Sequence, residues 1–71
     1  MRTIRLKTFY TLAGLNYNHG NYILSKKYAN LIFYHNKKRY IYKDTAIKFV
    51  TNYHWRLSEP LDEIIKRIEE Y

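Results

Sequence analysis

Between Leu31 and Val50 the chain changes its residue period twice, and few small folds accommodate that. An apolar and aromatic run, Leu31-Ile32-Phe33-Tyr34, leads into the polar and basic Asn36-Lys37-Lys38-Arg39 and then into a second aromatic run, Tyr40-Ile41-Tyr42. Two short runs rich in β-branched and aromatic residues around a polar break predict a β-hairpin with a basic tip. From Asp44 onward Ala46, Ile47, Val50 and Tyr53 fall three or four residues apart. That is helical spacing, and the Asp44 carboxylate is placed to accept from the free N–H groups of the first turn.

A chain of 71 residues allows one small α+β domain, residues 1–71, and excludes two. Such a domain buries only about 60% of its extended surface, so it is marginal or supported by a partner. Two Gly and one Pro leave little material for linkers or disorder. Nine Tyr suit either half-buried sheet positions and binding surfaces or a core partly lined by tyrosine. With no Cys there is no disulfide framework and no thiolate metal site, which favours a reducing, cytoplasmic setting. The N-terminal MRTIRLKTFY alternates basic and apolar residues, unlike a signal peptide or a membrane span.

Around the central frame, Thr3-Ile4-Arg5-Leu6-Lys7 alternates as a half-buried strand does, with Ile4 and Leu6 inward and Arg5 and Lys7 outward. Phe9, Tyr10, Leu12, Ala13 and Leu15 then take helical spacing up to Asn16, with Gly14 as an interior defect. Asn16-Tyr17-Asn18-His19-Gly20-Asn21 has the composition of a loop. Ser25 fits two readings, an N-cap opening a helix or a strand residue ahead of the hairpin; a helix from Ser25 to about Asn30 giving way to a strand is preferred. The last segment is a helix with Ser58 ahead of it and Pro60 in its first turn. Leu61, Ile64, Ile65 and Ile68 form its stripe, with Asp62–Lys66 and Glu63–Arg67 as i,i+4 pairs. The expected core is Ile4, Leu6, Leu31, Phe33, Ile41, Ile47, Val50, Leu61, Ile64, Ile65 and Ile68, with Trp55 packed between the last two helices.

Charge is divided unevenly. Residues 1–57 carry eleven Lys/Arg against the single acid Asp44, a net +10, whereas residues 58–71 carry two bases and five acids, a net −3. A body of that kind attracts polyanions, while its acidic end is repelled by them. His19, His35 and His54 are too far apart, with too few acids near them, to form a compact metal-ligand set. No G-x-S-x-G, P-loop or G-x-G-x-x-G occurs, and the carboxylates of the last helix are explained by helix-end and i,i+4 roles. The expectation is a protein that is not an enzyme and carries no cofactor.

Strand, basic turn, strand and helix, carried by Leu31 to Val50, resembles the small winged-helix excisionases of Gram-positive mobile elements. The Lys/Asn/Ile/Tyr-rich usage is also similar in style to small proteins of staphylococcal cassettes and phages, some of which assist a polymerase or helicase. The resemblance implies a DNA-binding accessory of replication or recombination, working beside a larger enzyme partner. Its candidate nucleic-acid contacts are Lys26, Lys27, Lys37, Lys38, Arg39, Lys43 and Lys48, with Tyr34, Tyr40 and Tyr42 able to stack on bases if the strand is single. DNA is favoured over RNA, and no membrane partner is expected. The other class of function is a protein-binding module, a modulator or inhibitor of a polymerase or host defence enzyme, with Tyr17 and Tyr22 as candidate interface residues.

Overall fold

The computed structural model describes residues 2–71, and it is an α+β fold of four helices and one three-stranded antiparallel sheet. Strand β1 is short, Thr3–Arg5, because Leu6 turns its apolar side chain inward and opens helix α1, Leu6–Ala13. The alternation in the sequence therefore places Ile4 and Leu6 in the core as expected, but Leu6 and Lys7 belong to the helix. Gly14 lies after that helix, at φ 73°, where a left-handed residue closes the last turn through bonds to the Thr11 and Tyr10 carbonyls. It is thus a C-cap, for which glycine is the least costly residue, and not a defect within the helix.

The segment from Asn16 to Asn21 is not a loop. Helix α2 spans Tyr17–Lys27, and Asn16 caps it by accepting hydrogen bonds from the backbone N–H groups of Asn18 and His19 at 2.9 and 3.3 Å. Gly20, Ile23 and Leu24 form its buried stripe at helical spacing. A Cβ on Gly20 would come within 2.6 Å of the Tyr10 ring, so the glycine allows α1 and α2 to approach each other. Ser25 lies inside α2, its hydroxyl donating to the Tyr22 carbonyl, so neither sequence reading of it holds. A 3-10 turn over Ala29–Leu31 then leads into the hairpin.

Strands β2, Ile32–His35, and β3, Lys38–Tyr42, form that hairpin, and β3 is the central strand because β1 pairs on its other side. The turn is only two residues long, Asn36 and Lys37, both left-handed at φ 52° and 63°. That is the geometry of a tight hairpin turn whose twist matches that of its strands. Lys38 and Arg39 are consequently strand residues, and only Lys37 of the three basic residues sits at the tip.

Helix α3, Lys43–Tyr53, and helix α4, Leu61–Glu70, close the core. Asp44 lies in the first turn of α3 without making a side-chain cap, and Pro60 stands at the α4 cap position, one residue ahead of the first turn where the sequence places it. Ile64 and Ile68 are buried and Leu61 and Ile65 half-buried, as the apolar stripe predicts. Arg67 pairs with Glu59 instead of Glu63 and donates to the Leu12 carbonyl at 3.1 Å, tying α4 to α1. Phe9, Tyr10, Leu24, Ala46 and Phe49 add to the expected core, whereas Leu31 is exposed and Phe33 lies on the outer side of the sheet. Trp55 is 66% exposed on a 3-10 turn over His54–Arg56, while the neighbouring Leu57 packs against the core. Among the described residues no helix is long and apolar enough to cross a membrane.

Candidate nucleic-acid interface

A three-residue turn, Gly14-Leu15-Asn16, separates α1 from α2, and each of its residues has a local reason to be there. Gly14 takes the left-handed cap, Leu15 packs on the core and Asn16 starts the next helix. With Gly20, Ile23 and Leu24 turned inward, α2 presents Asn18, Tyr22, Ser25 and Lys26 on a face exposed to solvent. No acid occurs anywhere in α2, and Lys26 and Lys27 put positive charge at its C-terminal end.

Arg39 ties the hairpin to α2 by hydrogen bonds. Arg39 projects from the core side of β3, and its Nη2 donates to Asn21 Oδ1 at 2.6 Å and to the Tyr17 hydroxyl at 3.2 Å. The same Asn21 oxygen accepts from the Tyr10 hydroxyl at 2.8 Å, so α1, α2 and β3 share one acceptor. Burial pushes the Tyr10 hydroxyl up to about 12, against a smaller opposing effect of Arg39. The Tyr17 hydroxyl moves the other way, held below the usual tyrosine range by hydrogen bonds from Asn21 and then Arg39. Tyr22 is also lowered, because Lys26 Nζ donates to its oxygen at 2.6 Å.

Beside this joint the N-terminal ends of α1 and α2 and the hairpin enclose a cleft of about 440 Å³. Arg5, Lys7, Lys37, Lys38 and Arg39 line it together with Tyr17 and Tyr34, and no carboxylate does. Five cations around one concavity attract an anion strongly, since each would otherwise repel its neighbours across a low-dielectric wall. Lys7 Nζ stands 5.4 Å from the centre of the Tyr17 ring and Lys26 Nζ 4.3 Å from that of Tyr22, so both rings orient cations.

Of the residues expected to contact nucleic acid, Lys37, Lys38 and Arg39 line this cleft, and Lys26 and Lys27 stand on the adjoining helix. Lys43 and Lys48 lie on α3 and line no part of it. Tyr40 and Tyr42 share the opposite face of the sheet from Tyr34, because side chains alternate along a strand and the register pairs Tyr40 with Phe33 and Tyr34 with Arg39. Tyr17 and Tyr22 are exposed on α2 and not in a loop. Arg5 and Lys7 had no mark in the sequence beyond an outward position on a strand; they reach the cleft because the strand ends between them. Among the described residues no cluster of three His, Cys, Asp or Glu could hold a metal ion. Comparison with known protein families, with curated proteins and with solved structures returns no match for this chain.

Proposed function

We propose that the protein is a DNA-binding accessory factor of the kind that serves replication or recombination, and that it seats α2 in the major groove with the β2–β3 hairpin against the flanking backbone. The observation that carries this reading is the five-cation cleft between the start of α1 and the hairpin, with Tyr17, the first residue of α2, on its wall. A duplex rewards that layout, because the backbone beside a groove can place its phosphates at the cleft while the adjoining helix reads base edges. Asn18, Tyr22 and Ser25 are the side chains of α2 available for base edges, Asn being suited to adenine. The order β1, α1, α2, β2, β3 also supports the winged-helix resemblance, with α2 in the place of the recognition helix.

A larger protein partner forms the second part of the proposal, and one observation favours it. Trp55 is 66% exposed with the Arg56 guanidinium 4.6 Å from its ring centre, and Trp and Arg dominate the energetics of protein interfaces. These residues sit on the turn between α3 and α4 and do not line the basic cleft, so one chain could hold DNA and a partner together.

The test is a titration of labelled duplex DNA at several salt concentrations with the parent protein and with Lys7, Lys37 and Lys38 all changed to Ala. Arg39 is left in place because it holds the hairpin to α2. Loss of three phosphate contacts should flatten the slope of log affinity against log salt by about 2–3 units. An unchanged slope removes the cleft from the binding surface. No binding by the parent at low salt leaves a protein-binding role.

A further inference from the structure

Helices pack on the core-facing side of the sheet, but the outward side carries the rings of Phe33, Tyr40 and Tyr42, on which no element packs among the described residues. Register fixes this set: Phe33 lies opposite Tyr40 on the paired strands, with Tyr42 two residues further along β3. Phe33 stacks on Tyr40 with ring centres 5.7 Å apart and planes 21° from parallel, and meets Tyr42 at 5.0 Å. Thr3, Phe33, His35 and Tyr40 surround a shallow depression of about 150 Å³ on this face. Cross-strand ring pairs stabilise sheets by about 0.2–1 kcal/mol each, which accounts for one pair but not for a third ring, Tyr42, left 50% exposed.

Charge narrows what such a face can hold. None of the three strands contains an acid, and the outward positions around the rings are Thr3, His35, Arg5 and Lys38, the last two of them cations. Both also line the basic cleft, so positive charge runs without interruption from the cleft to the edge of the aromatic face. A second copy of the chain laid on this face would bring Arg5 and Lys38 against like charges. An uncharged apolar peptide would leave them unused. A flexible polyanion with flat apolar rings matches both features at once.

We propose that the outer face of the sheet is a stacking platform for single-stranded nucleic acid, with bases on Phe33, Tyr40 and Tyr42 and phosphates at Arg5 and Lys38. The platform is a different surface from α2 and does not require the duplex reading to hold. Stacking tolerates any base, so the face selects single strands over duplexes and has little preference for sequence. A protein with both surfaces would bind where duplex meets single strand, as at an opened origin or a recombination junction.

The experiment measures anisotropy of a labelled oligo(dT) strand and a labelled duplex of equal length with the parent protein and with Phe33→Val, Tyr40→Thr and Tyr42→Thr combined. These replacements put strand-favouring β-branched residues in place of the rings, and circular dichroism checks the fold; if the triple variant unfolds, Tyr42→Thr alone, at the most exposed ring, carries the test. The expected result is oligo(dT) binding by the parent, weakened about tenfold for each ring removed, with duplex affinity unchanged. A polyglutamate peptide of matching charge should compete poorly. Undiminished oligo(dT) binding by the variant overturns the proposal, as do absent binding by the parent at low salt, equal competition by polyglutamate, and a parent dimer that the substitutions convert to monomer. Failure of the duplex arm alone leaves the platform standing and removes only the α2 reading.

Discussion

Gly20 shows how one residue can govern the meeting of two helices. By local preference a glycine within Asn-Tyr-Asn-His-Gly-Asn belongs to a turn, and its presence in a helix costs about 1 kcal/mol relative to alanine. It is helical here because the fully buried Tyr10 ring occupies the space a Cβ would need, 2.6 Å away. Gly20→Ala should therefore destabilise the protein by about 1–2 kcal/mol despite the gain in helix propensity, since a ring walled in on all sides cannot step back. Urea unfolding of the variant checks this, and a gain in stability would mean that the ring yields. Arg39 is the other residue whose role depends on its neighbours. Read as part of a solvated tip it is one cation among three, but on β3 its hydrogen bonds to Asn21 and Tyr17 make it the tether of the hairpin.

Among the elements, the hairpin was legible in the sequence and α2 was not. Alternating aromatic and β-branched residues around a polar break are a strong local signal, and the strands lie within two residues of where that signal puts them. Helix α2 has its signal as well, in the Asn16 cap and the Gly20, Ile23, Leu24 spacing, but its remaining positions are polar and its stripe is narrow. Most of the stability of such a helix comes from packing, which local sequence does not display. The hairpin turn carries its own tension. Lys37 holds φ 63°, a conformation that costs a residue with a Cβ about 1–2 kcal/mol and glycine little. Lys37→Gly should raise stability by about 1 kcal/mol while weakening duplex binding, and paired melting and anisotropy measurements read both effects. Duplex affinity that is unchanged or tighter would remove Lys37 from the proposed interface.

For the molecule as a whole, Tyr10 links folding to alkaline pH. Its hydroxyl is raised by burial to about 12 from an ordinary 10.0, so the folded state holds this proton more tightly than the unfolded state does. The stability it contributes is complete below about pH 10 and is lost as pH rises through 12. Tyr17 and Tyr22, lowered by Asn21 and Lys26 respectively, act in the opposite sense, adding stability that is present above pH 10 and lost as pH falls through their lowered values; both are exposed, so their contribution is weak. Denaturation midpoints should be nearly level up to pH 10 and then fall, with a shallower fall in Tyr10→Phe; a variant that tracks the parent above pH 10 would assign the loss to another group. Charge is also a property of the whole. The net +10 of residues 1–57 becomes a site only because the fold gathers Arg5, Lys7 and the hairpin cations around one cleft, with the acids of α4 lining none of it.

Periodicity and turn chemistry alone were enough for the fold class, the apolar stripe of α4, the hairpin and the helix that follows it, because each depends on residues close together in the chain. The helical state of Tyr17–Lys27, the exposure of Trp55 and the split of Tyr34 from Tyr40 and Tyr42 depended on packing and register that the local sequence does not display. Burial of Gly20 against Tyr10 decided the state of α2, and a hairpin turn of two residues decided which rings share a face of the sheet, because each involves a partner or a register that no local window contains.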